Sequence, residues 1–313
     1  MSPIPRPPTQ QSFLTVPDGA SLYYQVRGEG EPGAVLCDGL GCDGFVWKYL
    51  APQLEKDHRV LRWNYRGHGR SGLPTRRQRI GLSYSCDDLN RVMDAAGIHQ
   101  GVLFGHSMGV QVALEFHRRY PGRVRGLVLV CGSYGTLLNT FHDGTLLKRL
   151  FPLIRLAVES FPDRVAQLTR SLLSTRLAME VALSVELNRS LLSKSDLVPY
   201  FAHLAQMDPV VFVRTLRSAA HHNAWRHLPH VNVPTLVIAG RHDKFTPSWI
   251  SRRMAAHIPG AELLLLREGT HVAPLEYRET VEKRVRRFLE DHGLTGPGPS
   301  APWTPDARPP AAL

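Results

Sequence analysis

The feature that most constrains this chain is the motif Gly105-x-Ser107-x-Gly109, which joins an apolar run to a helix-forming run. Residues 102–104 are apolar and partly β-branched, which predicts a short buried strand. The apolar spacing over 110–119 predicts a helix that its neighbours largely cover. Side chains at both glycine positions would collide in so tight a turn. We therefore expect Ser107 on a strained corner, ahead of helix N–H groups that lack partners within the helix.

Strand-like and helix-like runs alternate along most of the chain, which favours an α/β fold with a doubly wound, mostly parallel sheet. Strands are predicted at 12–16, 21–27, 34–37, 58–64, 102–104, 124–130, 234–239 and 262–266. Helices are predicted around 47–54, at 86–96 and 110–119, from 248 onwards and at the end of the core, where Val281, Val285, Phe288 and Leu289 share one face. The loops after the strands are expected to meet at the carboxyl edge of the sheet.

The sequence pattern changes between residues 136 and 225, where leucine, alanine and arginine recur at helical spacing and no strand is predicted. Asp208-Pro209 is typical of an N-cap followed by proline at the first helical position. We interpret 136–225 as a helical cap inserted into a core formed by 12–135 and 226–292. The proline-rich residues 1–11 and the Pro/Gly/Ala-rich residues 293–313 are predicted to be disordered tails.

With a strand before it and a helix after it, the serine motif resembles the nucleophile elbow of the α/β hydrolases, in which a serine is exposed on a strand-to-helix turn. The resemblance covers 12–135 and 226–292. It implies a catalytic triad in the order serine, acid, histidine. Asp243 follows the strand at 234–239 where that family has its acid, and His271 follows the strand at 262–266 where it has its base. A serine at position 107 argues against haloalkane dehalogenases and epoxide hydrolases, which use aspartate there.

The expected roles are those of a serine hydrolase. His271 takes the proton of Ser107 and later returns it to the leaving group, while Asp243 holds the imidazole in the right tautomer. The backbone N–H groups of Met108 and Leu40 are expected to form the oxyanion hole, where one donor is typically worth about 3 kcal/mol in the transition state.

One residue departs from the family pattern, because Asp38 stands where a histidine usually precedes Gly39. A carboxylate pointing into the site would repel the oxyanion. We therefore expect Asp38 to be turned away and hydrogen-bonded into the loop backbone, as a structural brace. The loop 64–71 also matches the family, with Asn64 where aspartate is common, and is expected to be structural.

Composition limits the possible partners. The net charge is +11, but the arginines are scattered through every segment, which argues against a nucleic-acid module. The first residues lack the apolar core of a secretory signal, and no uncharged apolar run approaches ~20 residues, so we expect a cytoplasmic protein without a membrane span. The four cysteines show no metal-type spacing. No carboxylate accompanies His221, His222, His227 and His230 at ligand spacing, so no metal or other cofactor is expected.

These residues predict a serine hydrolase that cleaves a carboxylic ester of a small to medium apolar substrate through an acyl-enzyme. A lactonase, a carbon–carbon bond hydrolase or an acyltransferase would use the same triad and stays an alternative. A ligand receptor with the same fold and little turnover is the alternative in which the protein is not an enzyme. Apolar residues in the cap suit apolar acyl or alcohol groups.

Overall fold

The computed structural model describes residues 10–135, 146–173, 175 and 191–295. Within these ranges eight strands form one sheet, with the spatial order β1-β2-β4-β3-β5-β6-β7-β8. The strands are β1 (Gln10–Thr15), β2 (Ser21–Arg27), β3 (Gly33–Cys37), β4 (Val60–Trp63), β5 (Gly101–His106), β6 (Val124–Val130), β7 (Thr235–Gly240) and β8 (Glu262–Leu266). The β1–β2 and β2–β4 pairs are antiparallel, and every other neighbouring pair is parallel. The predicted α/β class and mostly parallel sheet are confirmed.

The described helices cover both faces of the sheet and its carboxyl edge. They are α1 (Ala51–Leu54), α2 (Leu82–Ala95), α3 (Met108–Arg119), α4 (Leu146–Ser160), α5 (Pro162–Leu173), α6 (Lys194–Gln206), α7 (Pro209–His221), α8 (Ser248–His257), α9 (Ala273–Glu276) and α10 (Arg278–Asp291). Helix α2 begins four residues earlier than predicted, directly after Gly81 at φ 140°. The single helix predicted around 47–54 is instead a 3-10 turn at Phe45–Trp47 followed by α1.

The central strands are buried on both faces, because helices cover each side of the sheet. Leu103 of β5 belongs to the cluster beneath α2, α3 and α8, while its neighbours Val102 and Phe104 belong to the cluster beneath α1 and α10. Strand β6 alternates in the same way along its length. This alternation follows from the two-residue period of a strand. It explains why these strands are continuous apolar runs in the sequence.

The described part of the chain between β6 and β7 is mainly helical, comprising α4 to α7 and a 3-10 helix at Trp225–His230. An antiparallel bridge between Gly135 and Asn223 joins the two ends of this segment. Asp208 caps α7 as its sequence predicts, because its Oδ1 accepts the N–H of Val210 at 2.8 Å and Pro209 occupies the first turn. The predicted cap residues 136–145, 174 and 176–190 lie outside the described residues.

Two boundaries of the predicted tails were wrong. Residues 10 and 11 are the first of β1, where they pair with Val26 and Gln25 across the antiparallel ladder. Leu294 is 2% exposed and packs beside Gly126 in the core, and its N–H donates to Leu289 O at 2.7 Å. In both places long-range packing outweighs the polar or Pro/Gly-rich local composition. Residues 1–9 and 296–313, which make up the rest of both predicted tails, lie outside the described ranges. No helix among the described residues is long and apolar enough to cross a membrane.

Candidate active site

Ser107 lies on the turn between β5 and α3, with φ 55° and ψ −117°. A positive φ is costly for a residue with a side chain and indicates strain that the surrounding structure holds in place. The flanking glycines are required for space: a Cβ on Gly105 would lie 2.5 Å from Gly109 O, and a Cβ on Gly109 would overlap the carbonyl group of Cys37. The steric reason given for this motif from the sequence is therefore confirmed.

The structure brings Ser107, His271 and Asp243 together although they lie far apart in the chain. Ser107 Oγ is 2.9 Å from His271 Nε2, and His271 Nδ1 is 2.9 Å from Asp243 Oδ2. The Asp243 side chain is fully buried and the His271 side chain is 13% exposed. Each residue follows the carboxyl end of a parallel strand, so the order of β5, β7 and β8 in the sheet produces the juxtaposition.

Asp243 is held by a set of donors that sequence reasoning did not identify. Its Oδ1 accepts the N–H groups of Phe245 at 2.9 Å and Thr246 at 2.8 Å, and its Oδ2 accepts the Thr246 hydroxyl at 2.8 Å. The Phe245 ring packs on His271 with a centroid separation of 4.8 Å. The acid therefore has a fixed orientation with one oxygen directed at the imidazole. An aspartate side chain often accepts the backbone N–H groups two and three residues later in a turn, so this contact was predictable from the sequence.

His106, which directly precedes Ser107 in the chain, lines the cavity and also supports the backbone of His271. Its Nε2–H donates to the backbone carbonyl of His271 at 2.8 Å. Burial lowers the pKa of His106 to about 3, and the adjacent His271 imidazole adds to the effect. The ring is therefore neutral at physiological pH, so it braces the His271 backbone without adding a charge to the site.

A buried carboxylate fixes the residue that precedes His271. Glu276, in α9, accepts the Thr270 N–H at 2.6 Å with one oxygen and the Thr270 hydroxyl at 2.6 Å with the other. The glutamate is 8% exposed. Charge-assisted hydrogen bonds of this kind are short and strong. The sequence offered no clear sign of this clamp, because an acidic residue six positions downstream is common on helices.

Leu40 and Met108 both border the space in front of Ser107. Met108 is the first residue of α3, so its N–H has no acceptor within the helix. Among the described residues no backbone hydrogen bond engages the Leu40 N–H. Both predicted oxyanion donors are thus placed beside the serine with their N–H groups available.

Asp38 is turned away from Ser107 and borders a separate cavity of about 520 Å³ that also contains Arg62 and His203. Its Oδ1 accepts the indole N–H of Trp47 at 2.7 Å, and a backbone hydrogen bond from Gly44 adds the expected contact with the loop backbone. Its own carbonyl accepts the Tyr65 hydroxyl at 2.9 Å. The pKa of Asp38 is raised to about 7, mainly by burial and also by the charge of Asp43. The hydrogen bond from Trp47 acts in the opposite direction.

A cavity of about 610 Å³ lies over Ser107 and His271. Its walls come from the core loops and from α4 to α7, and most of its lining residues are apolar. None of the described residues that line it is a lysine, arginine, aspartate or glutamate. Its polar side chains besides the predicted site are few: His106, Thr169, Tyr200, Thr246 and the Cys42 thiol. The volume is in the range of small-molecule sites.

Two further histidines, His242 and His227, contact residues outside the triad. His242 is exposed beside Glu268, with 3.4 Å between Nε2 and Oε2. His227 contacts His117, with 2.9 Å between their ring nitrogens. In the described ranges no three histidine, cysteine or acidic side chains are arranged to hold a metal ion.

A family model described as alpha/beta hydrolase fold matches residues 35–276, which is most of the chain. The chain belongs to the α/β-hydrolase fold family. The match includes the serine turn, the loop of Asp243 and the loop of His271, and it also includes the helices between β6 and β7.

This α/β hydrolase is similar to several known proteins. RutD, a proposed carbamate hydrolase of Azorhizobium caulinodans, is 27% identical over 255 residues, which cover 80% of this chain and 88% of the relative. A 2-hydroxy-6-oxononadienedioate/2-hydroxy-6-oxononatrienedioate hydrolase of Klebsiella pneumoniae is 27% identical over 88% of this chain and 94% of its own. The crystal structure of a hydrolase from Pseudomonas aeruginosa is 26% identical, with a TM-score of 0.69 over 89% of this chain and 98% of that one.

Proposed function

We propose that this chain is a serine hydrolase that cleaves carboxylic esters of small to medium apolar substrates through an acyl-enzyme. The observation that carries the proposal is the continuous set of contacts from Ser107 Oγ to His271 Nε2 and from His271 Nδ1 to Asp243 Oδ2, each 2.9 Å, at the floor of an apolar cavity. A serine hydroxyl is a poor nucleophile unless a base removes its proton. The imidazole is within hydrogen-bond reach of that proton.

The reaction follows from these positions. Ser107 Oγ attacks the ester carbonyl carbon as its proton passes to His271 Nε2, and the carbonyl oxygen becomes an oxyanion facing the N–H groups of Met108 and Leu40. Collapse of the tetrahedral intermediate expels the alkoxide, which takes the proton from His271. Water then attacks the acyl-enzyme with His271 again acting as base, and the carboxylic acid leaves. Asp243 stabilises the imidazolium in both halves.

The cavity lining supports a neutral substrate over a dianionic one. The Klebsiella relative is named for a dioate, a molecule with two carboxylate groups. Burying a carboxylate without a paired cation is strongly unfavourable. The part of the cavity wall that the structure describes offers no lysine or arginine. Apolar acyl and alcohol groups, by contrast, match the walls supplied by Phe212, Val213 and Leu216 of α7 and by α4 to α6.

The first experiment tests the nucleophile. The purified protein is treated with a fluorophosphonate probe and with p-nitrophenyl esters of graded acyl length, beside Ser107→Ala and the control Ser251→Ala, which alters a buried serine in α8 away from the cavity. We expect labelling and turnover in the wild type and the control. Loss of the serine should lower turnover by about 10⁴-fold or more. Turnover that survives in Ser107→Ala would refute the proposal, and labelling without turnover of any ester would favour the receptor alternative.

A second comparison tests the substrate class. p-Nitrophenyl butyrate and p-nitrophenyl hemisuccinate have acyl chains of equal length and differ by one carboxylate. We expect a higher kcat/KM for butyrate, because the carboxylate would have to be desolvated in an apolar cavity. A preference for hemisuccinate would contradict the apolar assignment and favour an acidic substrate such as that of the carbon–carbon bond hydrolases.

A further inference from the structure

The helices α4 and α5 form a hairpin with two apolar faces. They are separated by one residue and contact each other. Their inner face lines the cavity over Ser107 through Phe151, Ile154, Val158, Val165, Thr169 and Leu173. Their other side, which we call the outer face of the hairpin, exposes between 43% and 64% of each of six apolar residues: Leu150, Leu153, Leu156, Phe161, Leu168 and Leu172.

Helical geometry explains how one sequence supplies both faces. At about 100° per residue, Leu150, Leu153 and Leu156 lie within about 60° of one direction, while Phe151 and Val158 point about 140° or more away from it. Leu168 and Leu172 of α5 lie within about 40° of each other, and Phe161 is the residue between the two helices. None of the six residues of the outer face lines the cavity. Because the two helices contact each other, the six side chains belong to one exposed apolar part of the hairpin, of the kind that marks an interaction site.

Basic residues accompany this surface. Arg149 lies about 40° around α4 from Leu153, and Arg164 lies about 40° around α5 from Leu168. The Arg164 guanidinium is 5.6 Å from the centre of the Phe161 ring. Residues 146–173 contain five basic and two acidic side chains. Of the acidic ones, Glu159 faces Arg155 and Arg214 at 3.8 and 3.6 Å. The charge on the outer face is therefore positive, as it is on the whole chain.

We propose that the outer face of the hairpin docks onto the surface of an anionic lipid bilayer, with its leucines among the acyl chains and Arg149 and Arg164 against the headgroup phosphates. An amphipathic helix with arginine beside an apolar face binds an interface in this way. A second copy of the chain is a poorer occupant, because a two-fold contact through the same face would oppose like charges. A bilayer with negative headgroups offers acyl chains to the exposed leucines and phosphate groups to the basic side chains.

The outer face of the hairpin lies next to the cavity, so docking would bring the cavity close to apolar molecules in the bilayer. Ile154 lines the cavity and is also 40% exposed, so the cavity wall reaches the molecular surface next to the outer face. An apolar molecule that dissolves in a bilayer would meet the protein at this side. The docking itself does not depend on the proposed hydrolase activity, since no residue of the outer face contacts Ser107, Asp243 or His271.

The test is co-sedimentation of the full chain with vesicles of phosphatidylcholine, with and without phosphatidylglycerol. The Ser107→Ala variant is included because its binding must equal that of the wild type if docking is separate from hydrolysis. We expect binding to the vesicles that contain phosphatidylglycerol, weakened by added salt and much lower on phosphatidylcholine alone. Absence of binding to the anionic vesicles would overturn the proposal without touching the hydrolase assignment.

Matched variants locate the surface. Leu153→Ser/Leu168→Ser should weaken vesicle binding by at least about tenfold, because two apolar side chains no longer enter the acyl region. The control Trp249→Ser/Leu263→Ser changes two exposed apolar residues of the core and should bind as the wild type does. Both variants should stay folded, with a melting temperature within a few degrees of the wild type, since the four side chains are between 37% and 64% exposed.

The charge is tested in the same way. Arg149→Gln/Arg164→Gln should weaken binding to anionic vesicles by about tenfold or more, since each arginine near such a surface contributes about fivefold. Arg252→Gln/Arg286→Gln removes the same charge from exposed positions on α8 and α10 and should change binding little. Equal losses in both pairs would indicate attraction by net charge alone and would overturn the proposal. A concentration-dependent dimer that only Leu153→Ser/Leu168→Ser abolishes, with no vesicle binding, would show that the face contacts a second copy.

Discussion

Replacing Asp38 by asparagine should make the protein more stable at neutral and alkaline pH. The carboxyl group is 4% exposed and accepts the indole N–H of Trp47, a contact that the asparagine carbonyl can keep. Burial raises the pKa of Asp38 from 3.8 to about 7, and the nearby charge of Asp43 acts in the same direction. The folded protein therefore holds a proton on this group over a pH range in which the unfolded chain has lost it.

The magnitude and sign follow from linkage. A raised pKa in the folded state gives a contribution to stability that is fully present below pH about 4 and is lost as the pH rises through about 7. A shift of about three units at 1.36 kcal/mol each gives an upper limit of about 4 kcal/mol. Asparagine stays neutral at every pH. The stability advantage of Asp38→Asn should thus be near zero at pH about 4 and on the order of 2–4 kcal/mol at pH about 8.

The assay is urea unfolding followed by tryptophan fluorescence at several pH values between these limits. Taking the difference between wild type and Asp38→Asn cancels the other titrating groups. Asp38→Ala serves as a second variant: it leaves the buried Trp47 N–H without its acceptor and should cost about 1–3 kcal/mol relative to Asp38→Asn at every pH. Parallel pH profiles for the wild type and Asp38→Asn would refute the reasoning, because they would mean that Asp38 titrates alike in both states.

Three further substitutions test the site and its frame. Asp243→Asn should lower kcat for ester hydrolysis by about 10⁴-fold, because the imidazole loses the acceptor that fixes its tautomer, and should leave the melting temperature nearly unchanged in differential scanning calorimetry. Gly109→Ala should give little folded protein by circular dichroism, since its Cβ would overlap the carbonyl that ends β3. Gly260→Ala is the control: this glycine has a positive φ (67°) but no atom within 4 Å of the added Cβ, so the change should cost only about 1–2 kcal/mol. Equal losses in the two would contradict the steric reading of the serine turn. Arg66→Met should lower the free energy of unfolding in guanidinium by about 3–5 kcal/mol, because it leaves the buried Asp88 carboxylate without its partner. In the wild type the guanidinium donates to the two carboxylate oxygens at 2.6 and 2.7 Å. A change below about 1 kcal/mol would contradict a charged pair.

The serine turn was predictable because its constraint is local. The glycines at 105 and 109 are needed wherever a strand turns into a helix at once, and the apolar periods on either side are visible in the sequence. The positions of Asp243 and His271 after their strands were also predictable, given the resemblance to a known family. The parallel order of the strands then brings these loops to one edge, which is a topological consequence and requires no side-chain detail.

The supports of the site could not be predicted, because they depend on packing between distant segments. Glu276 clamps Thr270, Trp47 bonds Asp38, and His106 bonds the carbonyl of His271, 165 residues away. Each such contact involves residue types with many other possible partners. The predicted boundary of the C-terminal tail was wrong for the same reason, since Leu294 is buried only through its contact with Gly126 of the sheet.

By itself, then, the sequence determined the alternation of strands and helices, the strained serine and the loops that carry its partners, because these depend on neighbours in the chain. Only the tertiary structure decided where each side chain of the hairpin points. Leu156 and Val158 are both apolar and stand two positions apart, yet Leu156 is 61% exposed and Val158 only 5%, because α4 packs over the cavity on one side alone. Burial is a property of the assembled fold, and so are the cavity and the exposed face that derive from it.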